Sequence, residues 1–243
     1  MQDALLDDAA CAWLSSFVDS FQQKPRRVIA VGGSAGLIAE LASEGYPLIY
    51  VDKDPAELAY MATSVAAIRD TNDPEVTYLQ FDVERWEGQG DLKLSGQDCV
   101  IFCRSLHHML DPVQAVTNTL ERLDQGTVLM ADMTAELSAA ITAHDQEERR
   151  CERAFLISEG KEEELKELEQ DWERCDTLNG ECHKALLELK FREEADIQQF
   201  ISTAAVSNPS VLHYMLPCPC GSSGCGKTVW YWFGVIEKVP PDA

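Results

Sequence analysis

No apolar run in the chain approaches the ~18 residues that a bilayer span needs. Basic residues are scarce, with 20 Lys and Arg against 42 Asp and Glu among 243 residues, a formal charge of -22. Such a balance repels polyphosphates and anionic lipid surfaces at long range, so neither nucleic acid nor membrane is an expected partner. The opening MQDALLDDAACAW carries acids where a secretory signal carries bases, and a cytoplasmic location is expected. There is no internal repeat and no low-complexity linker, which excludes solenoid architectures. Paired C-x-x-C motifs are missing too, and the nine cysteines, an odd count, fit reduced thiols better than a disulfide framework. What is present is 45% apolar residues in a chain long enough for one well-cored domain.

Residues 3 to 22 set Leu6, Ala10, Trp13, Phe17 and Phe21 at helical spacing, which predicts an amphipathic opening helix ending at Lys24-Pro25. Short continuous apolar runs follow at Val28 to Val31, Leu48 to Val51, Val76 to Phe81, Cys99 to Cys103 and Thr127 to Ala131, the pattern of strands buried on both faces. Helix-compatible stretches separate them: Leu37 to Glu44, Pro55 to Arg69 and Pro112 to Leu123. Strand alternating with helix predicts a parallel, doubly wound α/β sheet. Residues 134 to 190 contain no strand-like run and predict a helical insertion. A further helix over 193 to 205 and two strands, Val211 to Leu216 and Thr228 to Val239, then close the chain as a hairpin.

The first strand runs into Gly32-Gly33-Ser34-Ala35-Gly36, where small residues let the backbone approach a ligand at a helix N-terminus. A dinucleotide fingerprint is excluded by spacing, because Ser34 and Leu37 stand where its second and third glycines belong. Asp52 ends the second strand, where a carboxylate can accept from ribose hydroxyls, while Asp54 before Pro55 is placed as a helix cap. Asp82 ends the third strand in the same manner. The fourth strand leads into Arg104-Ser105-Leu106-His107-His108-Met109-Leu110-Asp111-Pro112.

This order resembles the class I S-adenosylmethionine-dependent methyltransferases of small-molecule type, with an LHH-x-x-DP segment after strand four. The resemblance covers 26 to 132 and, in outline, 193 to 239. It implies a seven-stranded, doubly wound Rossmann-like sheet with a C-terminal antiparallel hairpin, divided as 1-133, the inserted helices 134-190 as substrate cover, and 191-243. It also implies S-adenosylmethionine as cofactor, held by Gly32, Gly33, Ser34, Gly36, Asp52, Asp82 and Arg104. Direct in-line methyl transfer to a small molecule is the implied activity. Ala30 stands where the family has an acid and Ser34 where it has its middle glycine, and these departures support an alternative, a methyltransferase fold serving as a binding or assembly module.

A neutral histidine can take the proton of a hydroxyl or acidic carbon, which makes His107 and His108 the catalytic candidates, against simple packing in the loop. On the insertion, Phe155, Leu168 and Trp172 are candidates for an acceptor pocket or for the seam between two helices. Gly221 to Thr228, GSSGCGKT, satisfies the phosphate-loop pattern, but a strand-like segment follows it instead of the required helix, and nucleotide hydrolysis is set aside. Cys218, Cys220 and Cys225 in the same loop are candidate ligands for zinc or another thiophilic metal, with free or redox-paired thiols as the alternative. Methylation of a thiophilic metalloid held by that loop is a minor alternative function.

Overall fold

The computed structural model describes residues 12–21, 24–88, 92–188, 194–205, 210–215 and 231–238. Helix α1 (12–19) is followed by β1 (Arg27–Gly32), α2 (Ala35–Ser43), β2 (Leu48–Asp52), α3 (Pro55–Ile68), β3 (Val76–Asp82), β4 (Glu87–Gly88) and β5 (Asp98–Cys103). A 3-10 turn, Leu106–His108, leads to α4 (Pro112–Arg122), β6 (Gly126–Met133), α5 (Ala135–Ser158), α6 (Glu162–Glu188), α7 (Glu194–Ala204), β7 (Ser210–Met215) and β8 (Tyr231–Lys238).

The strands form one sheet in the order β4-β3-β2-β1-β5-β6-β8-β7. Pairs among β1, β2, β3, β5 and β6 are parallel, whereas β8 runs antiparallel to β6 and β7 antiparallel to β8. Seven strands answer the expected architecture. The eighth, β4, is a two-residue edge pairing on β3, too short for any hydrophobic period to announce. Every residue of β5 is buried, as are Val28 to Val31 of β1, because helices cover both faces of the central strands.

Helix starts follow from local chemistry. Asp54-Pro55 and Asp111-Pro112 use one device: the aspartate side chain accepts from Ala56 N–H at 2.8 Å or Gln114 N–H at 2.9 Å, and proline fills the first helical position. Ser34 caps α2 by accepting from Leu37 N–H at 3.3 Å, so that helix begins at Ala35, two residues before the apolar periodicity suggested.

The first and last described segments meet on one face, Trp13 of α1 lying 4.2 Å, centroid to centroid, from Phe233 of β8. Leu14 and Val18 are fully buried there. Across the sheet, Arg27 of β1 grips the buried Asp98 of β5 through Nε and Nη2 at 2.9–3.1 Å, tying together the two strands at the centre of the sheet. The insertion is a hairpin of two long helices, α5 and α6, cross-linked by Arg149–Asp176 at 2.6 Å and Arg153–Glu169 at 2.8 Å, and α6 packs against the 106–108 turn.

Candidate active site

The strand order reverses direction at β1: β2 lies on one side of it and β5 on the other, and each parallel strand ends at the same edge. Chain connections diverge at such a point and leave a crevice over the carboxyl ends of the strands. Here the crevice is a cavity of about 550 Å³. Seven of the sequence-predicted residues line it: Gly32, Gly33, Ser34, Asp52, Asp82, Arg104 and His108. Gly36 does not; it sits in the first turn of α2, behind the cap.

Two glycines in left-handed conformation, Gly32 (φ +73) and Gly33 (φ +106), make the turn between β1 and α2. A Cβ at Gly32 would come within 2.7 Å of Ser105 Cβ and 2.9 Å of the Cys103 carbonyl, so no larger residue fits. Ser34 answers a different demand: its hydroxyl closes the α2 N-terminus, which a glycine could not do.

Asp52 Oδ1 accepts from Asp54 N–H at 2.8 Å, and burial pushes its carboxyl above the ordinary carboxylate range against the pull of that bond. The two oxygens of a carboxylate offer about four acceptor positions, so capacity remains toward the cavity. Asp82 Oδ1 accepts from Glu84 N–H at 2.9 Å and Arg85 N–H at 3.3 Å, shaping the turn after β3. Glu84 lies 3.6 Å from Lys53 Nζ and accepts from Asp111 N–H at 2.8 Å, which fastens the loop of residues 104–111 to the end of β3. Arg104 begins that loop with φ +51, its N–H donating to the Ala131 carbonyl at 2.8 Å. A left-handed arginine at the mouth of a cavity is the kind of strain that the surrounding fold has to hold in place.

The two histidines separate. His108 stands on the cavity wall, and partial desolvation, with the neighbouring His107, pushes its imidazole down to about 4. His107 is only 2% exposed and does not line the cavity. Its ring lies 3.9 Å from that of His108, and its Nδ1 is 2.6 Å from Oδ1 of the fully buried Asp132 at the end of β6. Desolvation alone would raise Asp132, but the facing His107 and hydrogen bonds from its ring, Met133 N–H and His107 N–H hold the carboxyl below its usual range. An ionised carboxylate only accepts, so His107 Nδ1 carries the hydrogen of this bond. The pairing joins residues 25 apart in sequence, and its one advance signal was an aspartate ending a buried strand.

Other expected residues are elsewhere. Phe155 is exposed, Leu168 is half-buried, and Trp172 of α6 lies under the guanidinium of Arg153 of α5 at 5.5 Å; none of the three lines the cavity. Cys218, Cys220 and Cys225 lie outside the described residues. Among the described residues no group of His, Cys, Asp and Glu could hold a metal, and no helix is long and apolar enough to cross a membrane.

No protein-family profile and no curated protein sequence matches the chain. Solved structures do. The plantazolicin methyltransferase BpumL in complex with SAH is 12% identical at a TM-score of 0.54, covering 95% of this chain and 82% of that one. Magnesium protoporphyrin IX methyltransferase (ChlM) from Synechocystis PCC 6803 with bound SAH is 13% identical at 0.53, covering 97% and 82%. The methyltransferase domain of bacterial CtHen1-C is 15% identical at 0.55, covering 95% of each chain. With the strand order, the antiparallel final hairpin and these neighbours in agreement, the chain has the Rossmann-like fold of the S-adenosylmethionine-dependent methyltransferases.

Proposed function

We propose that the protein is an S-adenosylmethionine-dependent methyltransferase that acts on a small molecule by direct in-line methyl transfer. The observation that carries this reading is the meeting, in one cavity on a methyltransferase fold, of a two-glycine turn, a capped helix N-terminus and carboxylates ending β2 and β3. The residues present fit such a cofactor. The turn is open to close approach by a ligand, and Ser105 Oγ beside it is buried with no hydrogen-bond partner among the described residues.

Gly32, Gly33 and Ser34 would hold the amino-acid end, Asp52 the ribose hydroxyls, and Asp82 would lie near the adenine, with Arg104 beside the glycine turn. When bound, S-adenosylmethionine supplies an electrophilic methyl carbon on a sulfonium. The chain's own residues then orient the acceptor and exclude water. His108, neutral at pH 7, accepts the proton that a hydroxyl or acidic carbon gives up. His107, locked to Asp132, sets the position of the loop that carries it. The α5–α6 hairpin, packed on the 106–108 turn, is assigned as the substrate cover. Carboxylates outnumber cations on the cavity wall, with Asp52, Asp54, Glu57, Asp82 and Glu84 against Lys53 and Arg104, and so favour neutral or cationic acceptors over anionic ones.

Calorimetric titration with S-adenosylmethionine and S-adenosylhomocysteine tests the reading. Micromolar binding, weakened tenfold or more by Asp52→Ala, is expected, since a carboxylate bonded to ribose is a charge-assisted acceptor worth ~1.5–3 kcal/mol. Folded protein that binds neither compound would overturn it in favour of a non-catalytic binding or assembly module.

A further inference from the structure

Tyr50 precedes Asp52 by two residues on β2, so both side chains project from the same face of the sheet. It lines the cavity although only 2% exposed. Its hydroxyl makes no hydrogen bond among the described residues, and its ring meets that of Tyr78 at 6.1 Å. On the other side its register partner is Ala30 of β1, a small, fully buried residue. Burial, with Asp52, Glu57 and Cys103 as neighbours, pushes the phenol up, so it keeps its proton and stays a donor. The hydroxyl itself is not fully buried, and a donor that opens to the cavity with no protein acceptor is met there by a ligand or an ordered water.

We propose that Tyr50 is a ligand-binding residue of the cavity, its hydroxyl donating to an oxygen of the bound adenosyl cofactor directly or through one water. This rests on the methyltransferase reading and adds to it a contact from β2 that lies deeper than Asp52.

The test is calorimetric titration of full-length wild type and Tyr50→Phe with S-adenosylhomocysteine, beside thermal melting of both proteins without ligand. Tyr50→Phe keeps the ring and removes only the hydroxyl. It is expected to bind about three- to tenfold more weakly, the range for one neutral hydrogen bond, while its ligand-free melting temperature stays level because the hydroxyl has no protein partner to lose. Equal affinity in the two proteins overturns the proposal and leaves the cofactor reading intact. A variant that melts markedly lower or does not fold also overturns it, since the hydroxyl then has a structural partner. Wild type that binds no S-adenosylhomocysteine removes the cofactor reading, and this inference with it.

Discussion

His107 and Asp132 put an imidazole and a carboxylate 2.6 Å apart where neither meets solvent, and a pair of this kind is more sensitive to losing one member than to losing both. His107→Ala is therefore expected to cost about 3–5 kcal/mol in a denaturant titration, because it strands the Asp132 carboxylate. Asp132→Asn, which keeps the volume and removes the charge, should cost less; an equal or larger cost would contradict the stranded-charge account. His108 governs a different observable. Its folded pKa of about 4 lies below its ordinary 6.5, so the unfolded chain binds this proton more readily. The resulting stability is present in full above about pH 6.5 and is lost as pH falls toward 4; Asp132, also lowered, adds to the loss at still lower pH. Denaturant midpoints measured from pH 4 to 7 are expected to rise in wild type and to rise less in His108→Asn.

At the scale of elements, the caps were legible and the long-range joints were not. Asp54-Pro55 and Asp111-Pro112 announce helix starts because the aspartate side chain and the proline ring act within four residues of chain. The clamp of Glu84 on the N–H of Asp111 could not be foreseen, since it depends on where two separate loops come to rest. The α5–α6 hairpin was visible as a strand-free, charged segment, yet which of its side chains face inward was not: Phe155, expected in a pocket or seam, is exposed, and the buried neighbour is Leu156. Among the hairpin's described side chains only Ala135, at its first position, belongs to the hydrophobic core of the sheet. Replacing 137–190 by a short flexible linker is accordingly expected to leave cooperative unfolding and S-adenosylhomocysteine affinity within a few-fold of wild type, while methyl transfer to the acceptor is lost. Loss of cofactor affinity in a folded variant would show that the hairpin holds the cofactor site instead of covering the substrate.

The whole molecule carries a charge of -22, and the hairpin adds to it with an acidic first turn at Glu162, Glu163 and Glu164. Like charges on a compact chain repel, and salt shortens their reach to about 10 Å at 0.1 M. Melting temperature should therefore climb as sodium chloride is raised from about 10 mM to 0.5 M, the opposite of what a structure held chiefly by surface ion pairs would do. A fall over that range would mean that bridges such as Arg149–Asp176 outweigh the general repulsion.

The sequence by itself determined the alternation of strand and helix, the glycine turn and the aspartates that end β2 and β3. Each of these is local: two-residue and 3.6-residue periods, caps and left-handed glycines act over a few positions of chain. It also placed the antiparallel finish, through the strongly strand-like run that became β8. Only the tertiary structure decided that His107 turns inward to Asp132 while His108, one residue on, faces the cavity. It also decided that Tyr50, beside Ala30 in the sheet, lines that cavity and that Phe155 and Trp172 of the insertion do not. Those outcomes depend on which strand lies beside which and on how much room a neighbour leaves, and neither quantity is written at any single position of the chain.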